Sequence, residues 1–361
     1  MEALDLIVKN SHHLSWIKDR TLLMVIHGSR SYGTNIESSD TDYKGICCPP
    51  KKYFYSFVQK FEQAELKEPD TTIYEIRKFA SLAAACNPAI IEVLYTDPSD
   101  IVINTKFGKK LIDNRDLFLS KRAKYSFSGY AISQIKRIEL HRKYLLNPPK
   151  NKPQRKDFDL PEYPLLPKDQ LQALEAEVKR QMDQFSLDQI DGLDDKLKKD
   201  INFLIESFLM DLHIYKEDIW TAFARKIGLD SNLIEVAKKE REYIAKKREW
   251  EKYQEWKINR NEKRATLEAK YGFDGKHGLH CIRLLSMGKE ILSEGNVIVK
   301  RPDAKKLLAI RNGEWSFEKL IGTAKEMEAE LHELYDKSTL RHSPDLEKID
   351  QMIQEIIEEM L

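Results

Sequence analysis

Two aspartates, Asp40 and Asp42, stand one residue apart, ten residues after a Gly-Ser pair, Gly28-Ser29. In an extended strand, residues i and i+2 project to the same face, so Asp40 and Asp42 are expected to point together. Carboxylates held that close repel each other unless a cation lies between them. Magnesium takes a few carboxylate oxygens and substrate phosphates as ligands. A pair of such ions can activate an attacking hydroxyl and stabilise leaving pyrophosphate. The expected chemistry is nucleotidyl transfer with two Mg²⁺ or Mn²⁺ ions and a nucleoside triphosphate (NTP) as substrate.

That chemistry needs a third carboxylate on a neighbouring strand. Glu75, inside the alternating run Thr72–Ile76, is the first choice, and Asp70 is the fallback. Gly28 lets backbone approach a phosphate closely. Ser29 adds a hydroxyl, Ser39 lies on the same loop, and Arg30 offers a fork that suits phosphate oxygens. Alone, Gly-Ser or Asp-x-Asp is common in turns. The ordered set is sharper: an apolar strand, Gly-Ser, Asp-x-Asp in a second strand, and an acid in a third.

The elements that must position these residues are short. Leu22–His27 reads as a buried strand, Asp40–Cys47 as a second with a bulge at Gly45, and Thr72–Ile76 as a third. Lys78–Cys86 reads as a helix ended by Asn87-Pro88, and Ser11–Lys18 as the close of a first helix. Beyond residue 116 strand patterns give way to helical ones. Ser128–Leu146, Lys168–Gln184, Asp195–Leu212 and Lys276–Leu292 all read as helices. Residues 147–168 carry six prolines and form an extended connector. Residues 236–270 are highly charged and helix-propense, and read as a long exposed helix or hairpin. Trp250 and Trp256 there suit an anchor or a protein-partner surface. The expected class is α+β: a small mixed-sheet catalytic domain over 1–118, then a larger all-helical domain over 119–361.

Two further faces carry charge. Lys276, His280 and Arg283 stand at i, i+4 and i+7, in line to grip a triphosphate. Arg137 and His141, with Arg142 and Lys143, form a second basic face suited to nucleic acid. Residues 121–156 hold eleven Lys or Arg against one acid, whereas 317–361 hold twelve acids against five bases. The first block suits phosphate-rich ligands and the second does not. No apolar run reaches the ~20 residues of a membrane span. The four cysteines form no CxxC pair, so neither zinc nor a disulfide framework is expected, and a reducing cytoplasm is.

The stretch HGSRSYGTNIESSDTDYKG resembles the nucleotidyltransferase superfamily of DNA polymerase beta. It is most similar to the predicted nucleotidyltransferases called RNA-ligase-associated, or YcgL-like. YEIRKFASLAAACNP, GYAISQIKRIELHRKYLLNPP, KYGFDGKHGLHCIRLLSMGKEIL, LLAIRNGEWSFEKL and LRHSPDLEKID extend the resemblance over most of the chain. It implies a palm-like domain followed by helices, and metal-dependent transfer of a nucleoside monophosphate. Carried onto this chain, Gly28 and Ser29 are the triphosphate turn, and Asp40, Asp42 and Glu75 the metal ligands. An RNA end, such as that of a tRNA, is the expected acceptor. Transfer to a protein side chain or a small molecule is a second reading, and a catalytically silent nucleotide- or RNA-binding module a third.

Overall fold

The computed structural model describes residues 2–184, 221, 224–225, 228–260, 268 and 271–361. Five strands make one mixed sheet: β1 (Thr21–His27), β2 (Asp42–Cys47), β3 (Gln63–Leu66), β4 (Thr71–Glu75) and β5 (Ile101–Asn104). Their order is β3-β4-β2-β1-β5. β1 pairs antiparallel with β2 and β5, β2 pairs parallel with β4, and β3 closes antiparallel on β4.

The helices are α1 (Glu2–Asn10), α2 (Ile17–Arg20), α3 (Ser29–Tyr32), α4 (Lys52–Tyr55), α5 (Ile76–Ala84), α6 (Pro88–Leu94) and α7 (Lys106–Asp113). There follow α8 (Ala123–Leu146), α9 (Lys168–Gln184), α10 (Ser231–Ile258), α11 (Gly275–Glu294), α12 (Ala304–Arg311), α13 (Phe317–Lys337) and α14 (Leu346–Met360).

Alternation along β1 sorts its side chains. Leu23 and Val25 face the α5–α6 side, and Met24 faces α1 with Cys47 and Ile73. The sheet is therefore covered on both faces, and β1 reads as a near-continuous apolar run. Gly45 stays in register with Met24 and Ile73, and the irregularity expected there falls instead at Thr21–Leu23. The second strand begins at Asp42, so Asp40 lies in the loop before it. β3 and β5 were not legible as strands.

The chain divides into two compact units. Met1–Leu146 and Asn261–Leu361 form the first, and Asn147–Arg260 the second. The boundary expected near residue 118 falls inside the first unit. The reason is a single hydrophobic core that runs from Leu23 and Phe79 through Phe127 and Ile138 to Ile282, Leu331 and Ile353. In the second unit Leu171 and Val178 of α9 pack against Ile234 and Ala237 of α10. The long charged helix of that unit spans Ser231–Ile258, where Trp256 stacks on Tyr253. The expected helix at 195–212 lies outside the described residues. Among the described residues all four cysteines are free and buried, and no helix is long and apolar enough to cross a membrane.

Candidate active site

β1 delivers His27 to the sheet's end, where Gly28 turns the chain with φ 72° and ψ −148°. The single turn Ser29–Tyr32 follows and closes at Gly33, also at positive φ. The register sets His27 opposite Asp42. A Cβ on Gly28 would stand 2.1 Å from Asp42 Oδ2, so the aspartate carboxylate occupies the hollow that the missing side chain leaves. Arg311 of α12 reinforces this turn by donating to the Thr34 carbonyl at 3.0 Å.

Asp42 is half-buried. Burial raises its carboxyl above the ordinary value, and the Asp70 carboxylate raises it further. His27 and Lys276 oppose that rise, and Asp40 adds a smaller push upward. Asp70 and Asp42 are neighbours because the parallel register pairs Tyr43 with Thr71, one step beyond each, and the Tyr43 amide donates to the Asp70 carbonyl at 2.8 Å. Asp40 stands on the loop before β2. Arg30 braces that loop, donating to the Ser39 carbonyl at 2.8 Å and the Asp40 carbonyl at 3.3 Å. Ser39 Oγ accepts from the Ile36 amide at 2.9 Å. Arg30 and Ser39, expected on the nucleotide, thus shape the loop that carries Asp40.

Glu75 is not brought to this cluster. It pairs with Cys47 at the far end of β2, five residues from Asp42, or ~16 Å at the usual strand rise. Its side chain accepts from the Lys78 amide at 3.1 Å, capping α5, and pairs with Arg77 at 2.9 Å. The carboxylate beside Asp42 on β4's side is Asp70.

Below the turn lies a buried charge network. Glu92 of α6 is 0% exposed. It accepts from the Tyr32 hydroxyl at 2.6 Å, lies 3.1 Å from His27 Nε2, and is paired with Arg283 of α11. The Arg283 guanidinium also stands over the Tyr32 ring, 3.9 Å from its centroid. Burial alone would raise the Glu92 carboxyl. Arg283, then His27 and Tyr32, overcome that and hold it below the usual carboxylate range. Sequence reasoning missed His27, Tyr32 and Glu92. The available signal was Glu92 itself, a lone acid inside the apolar run 88–95.

The two basic faces meet in a cleft of ≈ 360 Å³ beside this network. α8 contributes Tyr130, Gln134 and the exposed Arg137, and α11 contributes Lys276, His277, His280 and Arg283. No acid lines it. His277 hydrogen-bonds Gln134 at 2.8 Å. His280 is not the cation expected from its spacing. Burial, then Arg283, Lys276 and His277, push it down to about 3, so it is neutral at pH 7. Arg283 is spent on Glu92. Of the second face, only Arg137 reaches the cleft. His141 lies 3.5 Å from Glu268, Arg142 donates to the Gly272 carbonyl at 3.3 Å, and Lys143 is exposed outside it.

Among the described residues no three His, Cys, Asp or Glu side chains are gathered tightly enough to form a ready metal-ligand set. The donor chemistry at Asp42 nevertheless fits a hard divalent cation. Its oxygens stand beside two like charges, Asp70 and Asp40, and a cation relieves that repulsion.

The sheet, the Gly-Ser turn and the neighbouring aspartates are consistent with a DNA polymerase beta-like nucleotidyltransferase. Residues 1–148 match the family RlaP, described as the RNA repair pathway DNA polymerase beta family. The match ends at residue 148, short of the downstream stretches expected to carry the resemblance. A protein of Enterobacteria phage T4, described as an uncharacterized 38.9 kDa protein in the nrdC-mobD intergenic region, is 28% identical over 128 residues. That similarity covers 32% of this chain and 38% of the phage protein. No solved structure matches the chain.

Proposed function

We propose that this protein moves a nucleoside monophosphate from an NTP to an acceptor hydroxyl, and that the acceptor is an RNA end. The observation that carries the reading is Asp42 seated in the Gly28 hollow with Asp70 and Asp40 beside it. The RNA part is supported by the family's description and by the acid-free cationic cleft.

In this reading the triphosphate lies along Gly28-Ser29, with Lys276 and Arg137 of the cleft countering its charge. Asp42, Asp70 and Asp40 would hold magnesium or manganese, which supplies charge neutralisation at the phosphates and lowers the pKa of the acceptor hydroxyl. The acceptor oxygen bonds to the α-phosphorus, the bond to the β-phosphate oxygen breaks, and pyrophosphate leaves. Asp70, which is exposed, would take the hydroxyl proton. Glu92 holds His27, Tyr32 and Arg283 still, so the turn and the cleft are ordered before substrate arrives. Positioning and electrostatics of this kind carry such transfers without a covalent enzyme intermediate.

The test is incubation of the protein with each α-labelled NTP, Mg²⁺ or Mn²⁺, and cellular RNA and protein together. Label in RNA, lost in Asp42→Asn, is the expected result. Label in protein favours transfer to a side chain instead, and label in neither removes the catalytic reading.

A further inference from the structure

The segment between β2 and β3 holds large apolar side chains out into solvent. Phe57 is 93% exposed, Tyr55 73% and Val58 72%. The three are displayed together on one segment. They are not on a loose tail. Tyr53 beneath them packs against Trp16 and Phe61, with ring centroids 5.6 and 5.9 Å away, and Phe54 lies under Arg77. Ser56 Oγ accepts from the Val58 and Gln59 amides at 3.1 and 2.9 Å. The rings are therefore presented on an ordered turn, at little entropic cost to whatever meets them.

Charge along the segment itself has one sign. Residues 51–60, KKYFYSFVQK, contain three lysines and no acid. Lys51 stands over the Tyr55 ring, 5.6 Å from its centroid. The nearby carboxylates are already engaged: Glu62 with Lys78 at 2.8 Å, and Glu75 with Arg77 at 2.9 Å. Among the described residues no carboxylate lies within ion-pair distance of Lys51, Lys52 or Lys60.

Flat exposed rings flanked by lysines are what a single-stranded polynucleotide requires. Each base has a π-face to stack, and each phosphate needs a counter-charge. We propose that residues 51–60 form a docking platform for single-stranded RNA, with bases stacked on Tyr55 and Phe57 and phosphates on Lys51, Lys52 and Lys60. The inference rests on the RNA-acceptor reading and deepens it by naming where the strand is held. The platform follows the end of β2 remote from Asp42, ~16 Å along the strand. The RNA is thus gripped several nucleotides away from its reacting end. A lipid surface is the poorer fit, because α4 is only the four residues Lys52–Tyr55 and offers no amphipathic face of the size that interfacial binding needs.

The experiment measures fluorescence anisotropy of the full chain with a labelled oligouridylate of roughly 15 nucleotides. Phe57→Ala is expected to weaken binding about ten-fold, and Tyr55→Ala comparably. Lys51→Glu with Lys52→Glu is expected to flatten the dependence of affinity on salt by about one unit of slope per lysine. All of these residues are on the surface, so unfolding midpoints should stay at the wild-type value. Asp42→Asn should bind RNA as wild type does. If no NTP gives transfer but RNA binding still depends on Phe57, the catalytic reading fails and the platform stands. Wild-type affinity in the Tyr55→Ala/Phe57→Ala variant overturns the proposal, as does absence of RNA binding by the wild type at low salt. So does a platform whose loss abolishes only binding to phosphatidylserine vesicles, or only self-association in sedimentation.

Discussion

Asp42 and Gly28 share one volume: Asp42 Oδ2 lies 2.1 Å from where a Gly28 Cβ would stand. The glycine is required twice, since its φ of 72° also disfavours any L side chain. Gly28→Ala should therefore displace the carboxylate and strain the turn. We expect a loss of transfer of at least about a hundred-fold, from misplacement by an ångström or so. The accompanying loss of stability should be about 1–3 kcal/mol. Initial rates and urea denaturation check the two effects separately.

The parallel pairing of β2 with β4 sets Asp70 beside Asp42 and Glu75 at the far end of the strand. Asp70→Asn should reduce transfer by roughly a hundred-fold or more with little change in folding, as expected for a group that acts on the reaction. Glu75→Gln should leave kcat near wild type and cost about 1 kcal/mol, the usual value of a helix cap. Wild-type turnover in Asp70→Asn would remove that residue from the site.

Glu92 gives the fold an acid limit. Its carboxyl is held below the usual range by Arg283. The stability this contributes is complete above the unfolded value of about 4.3, and is lost as pH falls from there through the folded value. Denaturation of Glu92→Gln should accordingly show a shallower loss of stability below about pH 4.3 than wild type does. At neutral pH, Arg283→Met alone should cost about 3–5 kcal/mol, because it strands a buried charge. Removing both charges in Glu92→Gln/Arg283→Met should cost less than the sum of the two single changes.

His280 moves the other way. Its imidazole is pushed down to about 3, so the folded state resists a proton that the unfolded chain accepts at about 6.5. Stability attributable to the neutral ring is present above that value and is lost between about 6.5 and 3. His280→Gln should remove that part of the acid sensitivity. The affinity for NTP should not change across pH 6–8 on account of this residue, and titration calorimetry at both ends of that range is the check.

The first strand, its Gly-Ser turn and the strand that starts at Asp42 were legible because apolar runs and turn residues are local signals. Asp70 was only a fallback, since choosing between it and Glu75 depends on the register between β2 and β4, which no residue in either strand announces. The joint role of the two basic faces was half legible. Spacing placed Lys276, His280 and Arg283 on one side of a helix, but only packing shows that Arg283 is consumed by Glu92 and that His280 is neutral. A domain boundary near residue 118 followed from the change of periodicity. The core ignores that change, because Phe127 and Ile138 pack in the same cluster as Phe79.

Arg283 lies 191 positions after the Glu92 it neutralises. During synthesis the carboxylate leaves the ribosome long before its counter-ion exists. A nascent chain that has completed all five strands still holds an acid it cannot comfortably bury, and the turn beside it lacks its brace. Commitment of this site to its working form is therefore a late event in translation. A message cut short ahead of Arg283 yields a polypeptide with Gly28, Asp42 and Asp70 in place but without the partner that Glu92 needs.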